Sequence, residues 1–176
     1  YGSIRMASLD ARENLRKAGL QIEKSKFDLY DSLEDANDLT QLYDTLNSVK
    51  DKNYNPAVFT ALSIPANPDF DKMQKDNFKE YSYELITETW KKIPGYENVQ
   101  NLWNEGINKK LILPQFHGRE HLNVKVLMAL LQQRDPEVLA CFHNKSFGAI
   151  STVLYPTIRY VAAFEFDNFN ENEALK

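Results

Sequence analysis

The sequence predicts an α/β fold in which parallel β-strands alternate with helices. Short apolar runs, such as Pro56–Leu62 and Leu111–Phe116, alternate with amphipathic segments, and strands that alternate with helices of about 10–15 residues are typical of βαβ units. With 176 residues, of which 43% are hydrophobic, the chain can bury a sizeable core and is predicted to be a single α/β domain, residues 1–176. The pattern is compatible with a segment of an α/β barrel and with an open doubly wound sheet.

Capping residues and helical spacing justify the elements of the first half. Ser8 is a good N-cap, and Ser32–Asp35 resembles a capping box before a run of apolar residues at helical spacing. Asn67-Pro68 indicates another helix start, because proline fits the first helical position. We therefore predict a helix over 8–18, a helix from 32–35 to 49, a turn at 51–55, a strand over 56–62 and a helix from 67–68.

The second half continues the alternation. Tyr81, Tyr83 and Leu85 alternate as in a strand, and Asn123 is a good N-cap before a strongly apolar segment. We predict a strand at 81–85, a short helix from 87, a helix over 96–109, a strand over 111–116, a helix over 124–133, a helix from Asp135-Pro136 to about 144, and a strand over 147–153.

Composition excludes several classes of protein. The net charge is −4, and no Lys/Arg cluster alternates with aromatic residues, so we expect no nucleic-acid partner. No apolar run approaches the roughly 18 residues of a membrane span, and no signal peptide is visible. The single cysteine, Cys141, lies in an apolar segment and is expected to be a small buried core residue. Because residues 170–175 read as the start of a helix, we expect the chain to be incomplete at both ends.

The segment His117-Gly118-Arg119-Glu120-His121 is the best candidate for chemistry. It holds two of the three histidines, and it follows a predicted strand, where α/β folds bind ligands. Two imidazoles with a carboxylate and water make an open catalytic zinc site, so His117 and His121 are predicted to bind a divalent metal, most simply zinc. Arg119 could hold an anionic group of a substrate. The third histidine, His143, is expected to complement a helix dipole instead.

The same five residues also match the His-x-x-Glu-His pattern of inverzincin metallopeptidases. In that alternative Glu120 is the general base, and the motif must lie on a helix. Pro114 and Gly118 weaken a helix there, because glycine costs about 1 kcal/mol relative to alanine. The two tryptophans, Trp90 and Trp103, fit helix faces, where core packing is the default and stacking on a sugar ring is the alternative.

The histidine pair after a strand resembles the second motif of the polysaccharide deacetylases of the nodulation-protein-B homology type. Pro56–Thr60 resembles the second strand of that family, and Tyr1–Arg5 looks like the segment directly after the family's metal-binding aspartate pair. The segments Tyr1–Met6, Asn55–Ala61 and Pro114–Val124 also resemble a group of poorly characterised bacterial proteins with this barrel. Gly118 stands where the family usually has serine or threonine.

The resemblance implies a deacetylase-type (β/α) barrel and a metal-dependent hydrolase that removes N- or O-acetyl groups from a carbohydrate. It carries His117 and His121 over as metal ligands and places the catalytic base upstream of Tyr1, whereas Arg119 and Glu120 have no counterpart in the family pattern. A domain that kept the barrel and binds carbohydrate without catalysis is the third hypothesis.

Overall fold

The computed structural model describes residues 8–24, 29–30 and 32–146, which form helices and short strands. A short 3₁₀ turn, Ile22–Lys24, follows the first helix. The elements in chain order are α1 Leu9–Lys17, α2 Ala36–Ser48, β1 Phe59–Ser63, β2 Ala66–Pro68, α3 Phe70–Lys75, β3 Tyr83–Leu85, α4 Ile86–Lys92, α5 Val99–Asn108, β4 Ile112–Phe116, α6 Val124–Gln132 and α7 Pro136–His143. No helix among these residues is long and apolar enough to cross a membrane.

The chain divides into two compact units, each built from separate segments. Unit 1 contains Leu33–Asn67 and Glu84–Arg119, and unit 2 contains Pro68–Tyr83 with the described residues of Ile4–Ser32 and Glu120–Lys176. Each unit is described by its own contacts. The prediction of a single α/β domain stays a prediction.

Unit 1 contains the parallel strand pair that the sequence predicts. β1 pairs with β4 in a register that sets Phe59 opposite Ile112 and Ser63 opposite Phe116. Because side chains alternate along a strand, Ala61 and Ile112 share one face, and both are buried. The fold is therefore mixed α/β with a parallel two-stranded sheet, and β2 and β3 form a second two-stranded sheet.

Helices α2 and α5 of unit 1 pack on each other, and α5 also contacts β4. The side chain of Asp35 accepts a hydrogen bond from the Asp38 amide, and the side chain of Asp38 accepts one from the amide of Asp35, which together form a capping box. The Tyr43 hydroxyl donates to the carbonyl of Leu102 over 2.7 Å and so links the two helices. Tyr43 packs over Gly106, where a side chain would not fit.

Unit 2 is a cluster of helices around apolar side chains. Its core contains Phe70, Met73, Phe78, Leu122, Val126, Leu127, Leu130, Leu131, Val138 and Phe142. The ring of Phe142 meets the rings of Phe70 and Phe78 edge to face, with centroids 5.1 and 5.0 Å apart. The expectation for Cys141 is confirmed, since it is fully buried beside Ala11 and Leu15 of α1.

Two local predictions were wrong. The capping box of α2 is made by Asp35 and not by Ser32, because helical geometry begins only at Ala36. Asn67-Pro68 does not open a helix: it ends β2, and Asp69 caps α3 by accepting from the Lys72 amide. The strand predicted over 147–153 lies outside the described residues.

Candidate functional site

The carboxyl ends of β1 and β4 lie side by side in unit 1, and backbone hydrogen bonds continue past both strands. The amide of His117 donates to the carbonyl of Ser63 over 3.0 Å, and the amide of Ala66 donates to the carbonyl of Arg119, also over 3.0 Å. Gly118 lies between these bonds with φ of +99°, a left-handed conformation that glycine adopts without strain. His117 is thereby held directly after a parallel strand, as the sequence predicts.

The predicted site residues fall in both units. His117 and Arg119 belong to unit 1 and are exposed, whereas Glu120 and His121 belong to unit 2, where Glu120 is buried and His121 is partly buried. The boundary between the units runs between Arg119 and Glu120. Each residue is therefore placed by its own unit.

The chemistry of their side chains shows whether His117 and His121 are suited to bind a metal. Neutral imidazoles suit zinc, but catalytic zinc sites use three protein ligands. Within residues 8–24, 29–30 and 32–146, no group of three or more histidine, cysteine, aspartate or glutamate side chains is arranged to hold a metal ion. The side chains of His117 and His121 are therefore of a type that binds metal. A catalytic zinc site would need a further protein ligand in addition to this pair.

The segment that contains the histidines is not helical. β4 ends at Phe116, the residues from His117 to Asn123 have no regular structure, and α6 begins at Val124. The peptidase alternative needs both histidines and Glu120 on one helix. The structure therefore gives that alternative no support.

A pocket of about 220 Å³ lies within unit 1, and we call it the tryptophan pocket. Its lining includes Glu34, Ser63, Pro65, Trp90, Trp103 and Pro114. Ser63 is the last residue of β1 and its carbonyl accepts from the His117 amide, so the pocket adjoins the segment that holds His117. The volume is below the ~300–1,000 Å³ typical of pockets for drug-sized ligands, so it suits one small ring or a similar group.

The two indole N–H groups of this pocket differ in their hydrogen bonding. The Nε1–H of Trp103 donates to Oε1 of Glu34 over 2.9 Å. Trp90 is only 6% exposed, and its Nε1 is buried without a hydrogen-bond partner in the described part of the chain. A buried donor without an acceptor costs about 1–3 kcal/mol, so the N–H of Trp90 lowers the stability of unit 1.

Acidic side chains act on the pKa values of two tyrosines in unit 1. Burial, with the negative charges of Glu105 and Glu34, raises the pKa of Tyr43 to about 12. Burial also raises the pKa of Tyr96, with Asp35, Glu34 and Asp38 contributing. The Tyr96 hydroxyl donates to the carbonyl of Leu33, next to Glu34. Both tyrosines are therefore neutral hydrogen-bond donors at physiological pH.

A polar network links β2, β3 and α4 in unit 1. The side-chain amide of Asn67 donates to the hydroxyl of Thr89 over 3.3 Å, and that hydroxyl donates to Glu84 Oε1 over 3.0 Å. Lys92 pairs with the other carboxylate oxygen of Glu84. The carboxylate of Glu84 accepts from Thr89 and pairs with Lys92, both on α4. The network therefore fixes α4, and with it Trp90, relative to β2.

Sequence reasoning found the histidine segment but missed the tryptophan pocket. Trp90 and Trp103 carried the default prediction of core packing, and Trp90 is indeed buried. Glu34 lies about 55–70 residues away from them in the chain, so no spacing rule relates the three residues. Only the packing of α2, α4 and α5 brings them to one cavity. His143 ends α7, as predicted for a cation at a helix C-terminus.

Comparison of the chain with family models, with curated proteins and with solved structures finds no match.

Proposed function

We propose that this protein is a metal-dependent hydrolase of the carbohydrate-deacetylase type, with its parallel strands forming part of a (β/α) barrel. The observation that carries the proposal is the position of His117 immediately after β4, beside the carboxyl end of the parallel strand β1. Ligands of parallel α/β folds bind at this edge of the sheet. The resemblance of the histidine segment to the deacetylase motif supplies the reaction.

In this proposal His117 and His121 hold a divalent cation, for which zinc suits the imidazole donors. A cation held there would supply Lewis-acid chemistry that polarises an acetyl carbonyl and lowers the pKa of bound water. The chain itself supplies the turn at Gly118 and the two backbone hydrogen bonds that fix the segment around it. Arg119 is exposed two residues after His117, and in this proposal its guanidinium binds an anionic group of the substrate. In the family that the histidine segment resembles, one aspartate of a pair is the base and its neighbour binds the metal.

Elemental analysis of the full chain tests the metal site. After incubation with zinc and removal of free metal, we expect one zinc per chain. The double variant His117→Ala/His121→Ala should lose it, because both proposed ligands are gone.

His143→Ala is the matched control, since this third histidine is exposed at the end of α7. It should keep the full zinc content. A wild-type chain without zinc, or a double variant that retains it, contradicts the proposal. Acetate release from acetylated amino-sugar oligomers then tests the reaction in the metal-loaded protein.

A further inference from the structure

The tryptophan pocket places one carboxylate among aromatic and other apolar side chains. Proline and isoleucine residues line it beside the rings of Trp90 and Trp103. Glu34 is the acidic residue of the lining, and none of the described residues that line the pocket is lysine, arginine or histidine. The wall of the pocket therefore carries a negative charge without supplying a cation to balance it.

The carboxylate of Glu34 is held in place by Trp103. Its Oε1 accepts from the Nε1–H of Trp103 over 2.9 Å, and both side chains are partly buried. Burial, followed by negative charges that include that of Glu34, raises the pKa of Tyr43 and of Tyr96. The charge of Glu34 thus acts on other groups of unit 1. Beside a mostly apolar wall such a charge acts more strongly than it does in water.

Indole rings and a carboxylate together favour a cation. The face of an indole ring attracts a cation within about 6 Å of the ring centre, and tryptophan does so more strongly than tyrosine or phenylalanine. A primary ammonium group brings three N–H donors, each of which needs an acceptor when it is buried. A quaternary ammonium group has no N–H and presents methyl groups to the wall, so its burial leaves no donor unpaired.

We propose that the tryptophan pocket binds a quaternary ammonium group, with the indole of Trp103 against its methyl groups and Glu34 as its counter-ion. The volume of about 220 Å³ suits a group of the size of the trimethylammonium head of choline. The site consists of residues of unit 1 and is independent of the proposed metal ligands.

The indole N–H resonances of the ¹⁵N-labelled full chain give the first test. The chain has two tryptophans, so two indole signals are expected and Trp90→Phe assigns them. Titration with choline should shift the Trp103 signal in a saturable way. The neutral isostere of choline, in which a tert-butyl group replaces trimethylammonium, should bind at least ~10-fold more weakly. No saturable shift at roughly 10 mM choline, or equal affinity for the two compounds, overturns the proposal.

Contacts of the bound cation locate the site. Trp103 and Glu34 also line a neighbouring cavity of about 290 Å³, whose wall includes Leu42, whereas Ile86 lines only the tryptophan pocket. Nuclear Overhauser contacts from the choline methyl protons should therefore reach the methyl groups of Ile86. Contacts to Leu42 without any to Ile86 would place the cation in the other cavity and contradict the proposal.

Glu34→Gln tests the counter-ion. The variant loses the charge but keeps an oxygen that accepts from Trp103, so the fold should persist. It should raise the Kd for choline by ~10-fold and leave the Kd for the neutral isostere unchanged. Glu105→Gln is the matched control, because Glu105 pairs with Lys109 and does not line the pocket. Equal choline affinity in wild type and a folded Glu34→Gln contradicts the proposal.

Two substitutions at Trp103 test the aromatic face. Trp103→Phe and Trp103→Leu both lose the N–H that donates to Glu34, and they differ in whether an aromatic ring remains. The Phe variant should bind choline at least ~3-fold more tightly than the Leu variant, because only its ring attracts a cation. Equal choline affinity in the two folded variants would mean that the ring does not act on the cation.

Vesicles of phosphatidylcholine separate two sources of this head group. If the pocket takes a lipid head group, the vesicles sediment the chain and excess choline releases it. If the pocket takes a free compound, choline binds and the vesicles leave the chain in solution. Both results agree with a quaternary ammonium site, whereas vesicle binding that is unchanged in Glu34→Gln and is not displaced by choline contradicts it.

Discussion

Unit 1 and unit 2 differ in how their cores are built. Unit 2 is a helical cluster in which three phenylalanine rings meet edge to face, and it also buries polar residues, among them Glu120 and Asn123. Unit 1 combines a parallel strand pair with helices, and it buries Asn67, Thr89 and the unpaired N–H of Trp90. Its strand residues Leu62 and Leu113 remain about half exposed.

The comparison concerns what each core contributes to stability. The rings of Phe70, Phe78 and Phe142 fill the core of unit 2, so removal of one ring leaves a cavity. Unit 1 buries the N–H of Trp90 without a hydrogen-bond partner in the described part of the chain, and an unpaired buried donor costs stability. We therefore expect the largest losses of stability from changes in the aromatic core of unit 2.

Removal of one aromatic ring from unit 2 should have the largest effect. Phe142 is 2% exposed and contacts two other rings, so Phe142→Ala should lower the free energy of unfolding by about 3–5 kcal/mol, through lost burial and a cavity. Urea denaturation followed by circular dichroism measures this.

Phe116→Ala is the matched control in unit 1, because Phe116 is 77% exposed. Its cost should stay below about 1 kcal/mol, as for most surface substitutions. Similar losses in the two variants would contradict the assignment of stability to the core of unit 2.

High pH should weaken unit 1 through Tyr43. The pKa of this buried hydroxyl is raised from 10 to about 12, so the folded form keeps it protonated where the unfolded chain loses the proton. Its contribution is complete below pH 10 and falls as pH rises from 10 to 12, by up to about 3 kcal/mol when titration is complete.

Urea denaturation at several pH values from 8 to about 11 measures the effect as a falling free energy of unfolding. Tyr43→Phe should be less stable at pH 8, because the bond to the Leu102 carbonyl is lost, and should depend less on pH above 10. An unchanged pH slope in Tyr43→Phe would show that other groups cause the alkaline loss.

The sequence predicted elements better than it predicted the pocket. Asn123 accepts from the amide of Val126 and caps α6 as expected, because a helix start is decided by residues three or four apart. A parallel arrangement of strands was also predicted, from strands separated by helices, and β1 and β4 do pair in parallel. Local spacing carries both signals.

The same reasoning failed where tertiary packing decides. Proline at Asn67-Pro68 fits a helix start, but this segment pairs with β3 as a strand instead. The meeting of Trp90 with Glu34 depends on how α2, α4 and α5 pack, and no local spacing encodes that packing. Candidate sites built from neighbouring residues are therefore accessible from one sequence, whereas pockets made by distant segments are not.

Gly106 tests how tightly Tyr43 packs in unit 1. A Cβ atom at Gly106 would lie 2.4 Å from the Tyr43 hydroxyl oxygen and 2.7 Å from Cζ. Alanine gains about 1 kcal/mol in helix propensity over glycine, but such overpacking typically costs about 1–3 kcal/mol. Because the neighbour is a rigid ring, Gly106→Ala should lose about 1–2 kcal/mol net.

Asn108→Ala on the same helix is the control, since Asn108 is exposed, and its stability should change little. The double variant Tyr43→Phe/Gly106→Ala should cost less than the sum of the single changes, because removal of the hydroxyl removes the closest contact. A stabilised Gly106→Ala variant would mean that the Tyr43 ring moves at little cost and that unit 1 packs more loosely than inferred.

Helix caps should show the smallest effects and no difference between the units. Asp135 accepts from the amides of Glu137 and Val138 in unit 2, and Asp35 accepts from the amide of Asp38 in unit 1. Each aspartate satisfies backbone donors of its own helix, so Asp135→Ala and Asp35→Ala should each cost about 1 kcal/mol in thermal or urea denaturation. If Asp35→Ala costs much less, repulsion between Asp35 and Glu34 offsets the cap. That result would mean that the acidic segment before α2 lowers the stability of unit 1, whereas Asp135 of unit 2 follows Arg134 and has no such neighbour before it.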